Sequence, residues 1–98
     1  MRKLFAVMVA RGPAWRDAQP MEGQAEWTAH AQFMDALVDE GFVVLGGPLA
    51  GSADVLLIVR AENSEEIEER LAPDPWRRLG LLETKRISPW TLRLGALA

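Results

Sequence analysis

The chain has 98 residues, 49% of them apolar and 26% charged, with a formal net charge of −3, no cysteine and a single histidine. That length makes one domain over residues 1–98, which buries roughly 60–68% of its unfolded surface without disulfide or metal staples. The acidic balance provides no basic field for a nucleic-acid backbone. The cysteine and histidine counts exclude disulfides, thiolate metal sites and a histidine-based metal centre.

Lys3 to Ala10, "KLFAVMVA", is an apolar run without polar alternation and predicts a strand covered on both faces. As a signal-peptide core it would be at the minimum length, so it is assigned to the strand and the protein to the cytoplasm, whose reducing conditions a cysteine-free chain fits. No stretch approaches the ~18–20 apolar residues of a membrane span. Arg11 to Gly23 breaks the pattern with Gly12, Pro13, Pro20 and Gly23 around Trp15, and reads as a loop long enough to act as a lid. Glu22 to Glu40 then predicts the best helix: Trp27, His30, Phe33, Met34, Leu37 and Val38 recur at spacings of three and four, opposite Thr28, Gln32, Asp35 and Asp39. Gly41 ends it.

Phe42 to Leu45 and Val55 to Val59 are apolar β-branched runs joined by a glycine-rich connection, which reads as a hairpin. Gly46 and Gly47 belong to neither a Walker loop nor a dinucleotide fingerprint. Asn63 or Ser64 caps a second helix through Leu71, whose Glu65, Glu66, Glu68 and Glu69 form a solvated face. In "LAPDPWRRLG", Leu71 to Gly80, Asp74 followed by Pro75 is the N-cap and first position of a short helical turn. Leu81 to Leu94 supplies the last strand, and Pro89 within it points to an edge position or a bulge.

The order β-α-β-β-α-β predicts an α+β, ferredoxin-like fold: a four-stranded antiparallel sheet with both helices on one face. The other face would then expose a large apolar patch, because the first and third strands are apolar on both sides. Pairing two sheets face to face covers it, so a homodimer is expected.

His30 falls near the middle of its helix's apolar arc and points at the sheet. Such a histidine is most often a core residue with one hydrogen bond. Trp27 and Phe33 as aromatic walls, and Asp74 in a stiff turn near one end of the helical layer, make it a candidate site instead. "AHAQFMDALVDEGFVVLGGPL" and "DPWRRLGL" followed by "ISPW" resemble the YCII-related family, within the dimeric α/β-barrel group. Ser88 stands where that family has an arginine or similar residue before Pro89. The resemblance implies a pocket in each subunit of a dimer, with a catalytic histidine and aspartate at His30 and Asp74. One branch is similar to a dehydrochlorinase acting on a chlorinated hydroxyhydroquinone by His-Asp proton transfer.

That chemistry requires neither metal nor cofactor, since imidazole exchanges protons near neutral pH and a carboxylate selects its tautomer. Trp27, Phe33 and Trp76 are the expected aromatic walls for a small planar ligand. Arg11 and Arg16 are the candidates to offset developing negative charge. Two functions stand at this point: a cofactor-independent lyase or isomerase acting on a small phenolic or halogenated metabolite, and a binding or accessory protein that holds such a ligand without turnover.

Overall fold

Among residues 2–97, which the computed structural model describes, the elements run β1 (Lys3–Arg11), α1 (Trp27–Asp39), β2 (Val43–Pro48), β3 (Asp54–Ala61), α2 (Ser64–Leu71), α3 (Pro75–Arg78) and β4 (Leu82–Pro89), with a 3-10 turn at Met21–Gly23. The four strands form one sheet in the order β2-β3-β1-β4, every neighbouring pair antiparallel. This is the expected α+β, ferredoxin-like arrangement, with α3 added between α2 and the last strand.

Alternation along a strand sends successive side chains to opposite faces, and the β1/β3 register sorts them. Phe5, Val7 and Val9 stand opposite Val59, Leu57 and Val55. Except for half-buried Val55, these are buried in one core with Leu37 from α1, Ile67 and Leu71 from α2, and Phe42 and Val43. Leu4, Ala6 and Met8 alternate with them and stand opposite Arg60, Ile58 and Leu56 on the other face. No helix packs on that second face among the described residues, and Leu45 beside Ile58 is 55% exposed.

Helix α1 begins at Trp27, five residues after the expected Glu22. The segment before it folds back on itself instead. Gln24, 4% exposed, accepts from the Arg16 amide and donates to the Arg16 and Gln19 carbonyls. A side chain holding backbone groups five and eight residues away competes with helix propagation, and Glu26, at φ 59°, adopts a left-handed conformation that admits the helix only from the next residue. The other end closes as expected. Gly41 takes φ 80°, its amide bonds the Val38 carbonyl at 2.9 Å, and the Phe42 amide bonds the Leu37 carbonyl at 3.0 Å. This is a Schellman closure with Phe42 and Leu37 joined in the core. Val38, on the expected apolar arc, is nonetheless 51% exposed.

Helix α2 is capped by Asn63, whose side chain accepts from the Glu66 amide at 2.9 Å. It buries Ile67 and Leu71 and leaves Glu65, Glu68 and Glu69 in solvent. Strand β4 ends at Pro89, short of the expected Leu94. Proline has no amide to continue the ladder, and after one further bond, from the Trp90 amide to the Leu4 carbonyl, the pairing stops. The strand lies at the sheet edge, as Pro89 predicts, while the register shift opposite Met8 and Val9 falls around Lys85. No helix of the described residues is long and apolar enough to cross a membrane.

Candidate functional site

The site forms where the first turn of α3 meets the buried face of α1. Pro75 at the start of α3 lacks an amide, and Asp74 before it accepts from the Trp76 amide at 3.0 Å through Oδ1. This is the N-cap expected from the Asp-Pro pair. The same carboxylate has a second partner. His30 Nδ1 lies 2.9 Å from both Oδ1 and Oδ2, and the side chains of His30 and Asp74 are 11% and 2% exposed. A carboxylate only accepts, so Nδ1 carries a proton, and in the neutral ring Nε2 presents a lone pair. Nε2 has no hydrogen-bond partner among the described residues.

Trp76 fixes the imidazole from its face. The two rings stack with centroids 3.8 Å apart and planes 3° from parallel, and the indole Nε1 donates to the Ala25 carbonyl at 2.6 Å. Trp15 meets Trp76 edge-on at 5.3 Å, and Trp27 lies tilted at 6.1 Å from His30 and 5.8 Å from Trp76. The left-handed Glu26 that starts α1 follows the carbonyl Trp76 uses. The loop carrying Trp15 is tied down by Gly12, whose amide bonds the Leu81 carbonyl at 2.8 Å while the Ala14 amide bonds the Gly80 carbonyl at 3.0 Å. A β-carbon on Gly12 would stand 2.2 Å from the Gly80 carbonyl oxygen, so only glycine permits this approach. The segment read as a lid is thus pinned at Gly12 and again by Gln24.

Beside the dyad lies a cavity of about 280 Å³, walled by apolar side chains that include Val9, Met34, Val55, Leu57 and Leu82. His30, Asp74, Trp76 and Arg11 line it, as do Trp15 and Arg77. Arg11 lies with its guanidinium carbon 4.6 Å from the Trp15 ring centroid. Trp27, Phe33 and Arg16 are outside the lining: Trp27 braces Trp76, Phe33 packs against the core, and Arg16 is exposed while its backbone serves Gln24. Trp76, expected as a wall, is 2% exposed and spends its face on the imidazole.

Sequence reasoning passed over Trp15 and Arg77. The Arg77 Nη1 donates to Thr84 Oγ1, and Nε is buried without a partner. Burial holds the guanidinium below the usual arginine value, against the Asp74 and Glu68 carboxylates, which favour its charged form. Two arginines following a turn carry no signal that one of them is folded inward. Among the described residues no group of three or more His, Cys, Asp or Glu side chains is placed to hold a metal ion.

A family model described as the YCII-related domain matches residues 4–91. No curated protein matches the chain.

Proposed function

The chain belongs to the YCII-related family, and from that premise we propose that it is a cofactor-independent lyase or isomerase that moves a proton on a small phenolic or halogenated metabolite by means of His30 and Asp74. The observation that supports this reading is the buried pair itself: Nδ1 is held by both carboxylate oxygens at 2.9 Å, and Nε2 is left unpartnered on a residue lining an apolar cavity.

In this reading Nε2 takes a proton from an acidic C–H or O–H of the ligand. The imidazolium so formed is stabilised by the Asp74 carboxylate and by the face of Trp76. The electron pair left on the ligand then expels a leaving group such as chloride, in a lyase, or relocates so that the proton returns to a different atom, in an isomerase. The dry wall strengthens each of these charge interactions. Catalysis of this kind contributes typically 10²–10⁴-fold.

The working form in this proposal is a cytoplasmic homodimer. What supports it is the sheet face without a packed helix, where half-buried Leu4, Ala6, Met8 and Leu56 surround buried Ile58.

A thermal-shift screen of enolisable and halogenated phenolic compounds, followed by NMR of each hit in D₂O, tests the function. Deuterium entering the ligand, or halide released, in the wild type and not in His30→Asn supports it. Hits that bind both proteins equally and exchange nothing would leave a binding protein.

A further inference from the structure

We infer that Arg77 is an anion-recognition residue of the cavity, so that its ligand is a single-ring acid: an aryl carboxylate or a molecule of like shape with one fixed negative charge. The inference names the substrate class for the site proposed above, and so rests on that cavity being the ligand site.

A guanidinium has five N–H donors and, when buried, is ordinarily paired with a carboxylate. Arg77 departs from this. Its hydrogen bond goes to the neutral hydroxyl of Thr84, its Nε–H is buried and unmatched, and no carboxylate among the described residues lies within ion-pairing distance of it. Asp74 acts on it through space while its own hydrogen bonds go to His30 and the Trp76 amide. Asp54, another acid of the lining, is engaged by Lys85 at 3.2 Å. The half-buried cation therefore stands at the cavity wall with a buried, unmatched Nε–H and no ion-paired carboxylate among the described residues, an arrangement that an incoming anion would complete. Of the cavity's three carboxylates Asp74 is bonded to His30 and the Trp76 amide, Asp54 is paired with Lys85 and Asp35 is exposed to solvent, while a hollow on the other side of Arg77 is rimmed by Glu68 and Glu83; the apolar walls that suit a ring lie on the cavity side. Size sets the rest: a dry cavity of about 150 Å³ suffices for benzene, and 280 Å³ holds one substituted ring. With its charge at Arg77 and its ring along Val9 and Leu57, the ligand presents another edge to Nε2 of His30.

Benzoate and benzamide have nearly the same shape and differ in charge, and titration calorimetry at pH 7.5 and low salt compares them. The wild type is expected to bind benzoate at least tenfold more tightly. Arg77→Met should abolish that preference while leaving benzamide within about twofold, Arg77→Lys should keep part of it, and His30→Asn should keep all of it. No preference in the wild type, or one that survives in Arg77→Met, overturns the inference. So does a preference lost in Arg11→Gln or His30→Asn, because the anion is then bound elsewhere. Should Arg77→Met fail to fold, the wild type's Arg77 Nε–H resonance gives the answer: it should move with benzoate and not with benzamide, and a static resonance overturns the proposal. Proton exchange reads the dyad and the anion preference reads Arg77, so either can fail alone.

Discussion

Replacing Asp74 by asparagine separates the two duties of its carboxylate. The wild-type side chain receives the Trp76 amide at 3.0 Å and the His30 ring at 2.9 Å. Asparagine has one oxygen, and Trp76 N–H can be met only by an acceptor, so the cap claims it and the amide NH₂ turns to the imidazole. His30 Nδ1 must then accept, which moves the ring proton to Nε2 and removes the base. Thermodynamically the exchange is mild. A hydrogen bond to a charged group, about 1.5–3 kcal/mol, becomes a neutral one of about 0.5–1.5, a net loss of about 1 kcal/mol and about 4–8 °C in Tm for a domain of this size. Alanine forfeits the cap, about 0.5–2 kcal/mol, and strands a buried ring N–H at about 1–3 kcal/mol. It should lower Tm by about 6–40 °C. Thermal melts give the two shifts, ¹⁵N spectra of the imidazole give the tautomer, and ligand proton exchange should fall roughly 10²–10⁴-fold in Asp74→Asn. An asparagine variant that keeps the Nδ1–H tautomer, or exchanges protons at the wild-type rate, would refute this account of the pair.

Five further substitutions at four positions probe the frame around the site. Met8→Glu on the open face should yield a folded monomer in sedimentation, whereas Val7→Glu, at a position 0% exposed in the core, should fail to fold; a dimeric Met8→Glu would contradict the face-to-face pairing. Gly12→Ala forces a β-carbon against the Gly80 carbonyl and should cost roughly 1–3 kcal/mol, with weakened near-ultraviolet dichroism from the Trp15–Trp76 pair; unchanged dichroism and Tm would show that the loop is not pinned there. Trp76→Phe keeps a ring against His30 but loses the bond to the Ala25 carbonyl, so roughly 1–3 kcal/mol should be lost with the His30 tautomer preserved, while Trp76→Leu should also disturb the imidazole resonances; equal spectra for the two variants would argue against the stack as the orienting contact.

The parts of the fold that sequence could reveal are those governed by neighbours in the chain. Gly41 after a helical repeat, Asn63 before Glu66 and Asp74 before Pro75 each solve a local hydrogen-bonding problem, and each sits as the local chemistry demands. Two-sided apolarity in β1 and β3 showed that both sheet faces are greasy, but their roles emerge only from register, with Val7 inside and Met8 outside. The start of α1 failed for the converse reason. Glu22 to Glu26 continue a plausible helical pattern, and what stops them is Gln24 bonding carbonyls of a loop that must first be folded.

The dyad divides along the same line. His30 and Asp74 could each be singled out, one as the lone histidine on an apolar arc and the other as a cap. Their meeting across 44 residues depends on α3 lying against α1, a contact that the tryptophans make. Trp76, expected as a wall for a ligand, lines the cavity and also supports the imidazole, a duty that nothing local in "DPW" announces. Arg77 was missed because arginine is normally solvated, and nothing in "PWRR" distinguishes an inward guanidinium from an outward one. Position 77 follows the cap by three residues, which turns its side chain toward β4 and Thr84 while Arg78 remains exposed. One step along a helix rotates a side chain by about 100°, so shifting this pair by one position would put the charge in solvent. Arg77→Met with Arg78 retained therefore removes the charge from the wall and leaves the solvated arginine of the turn in place.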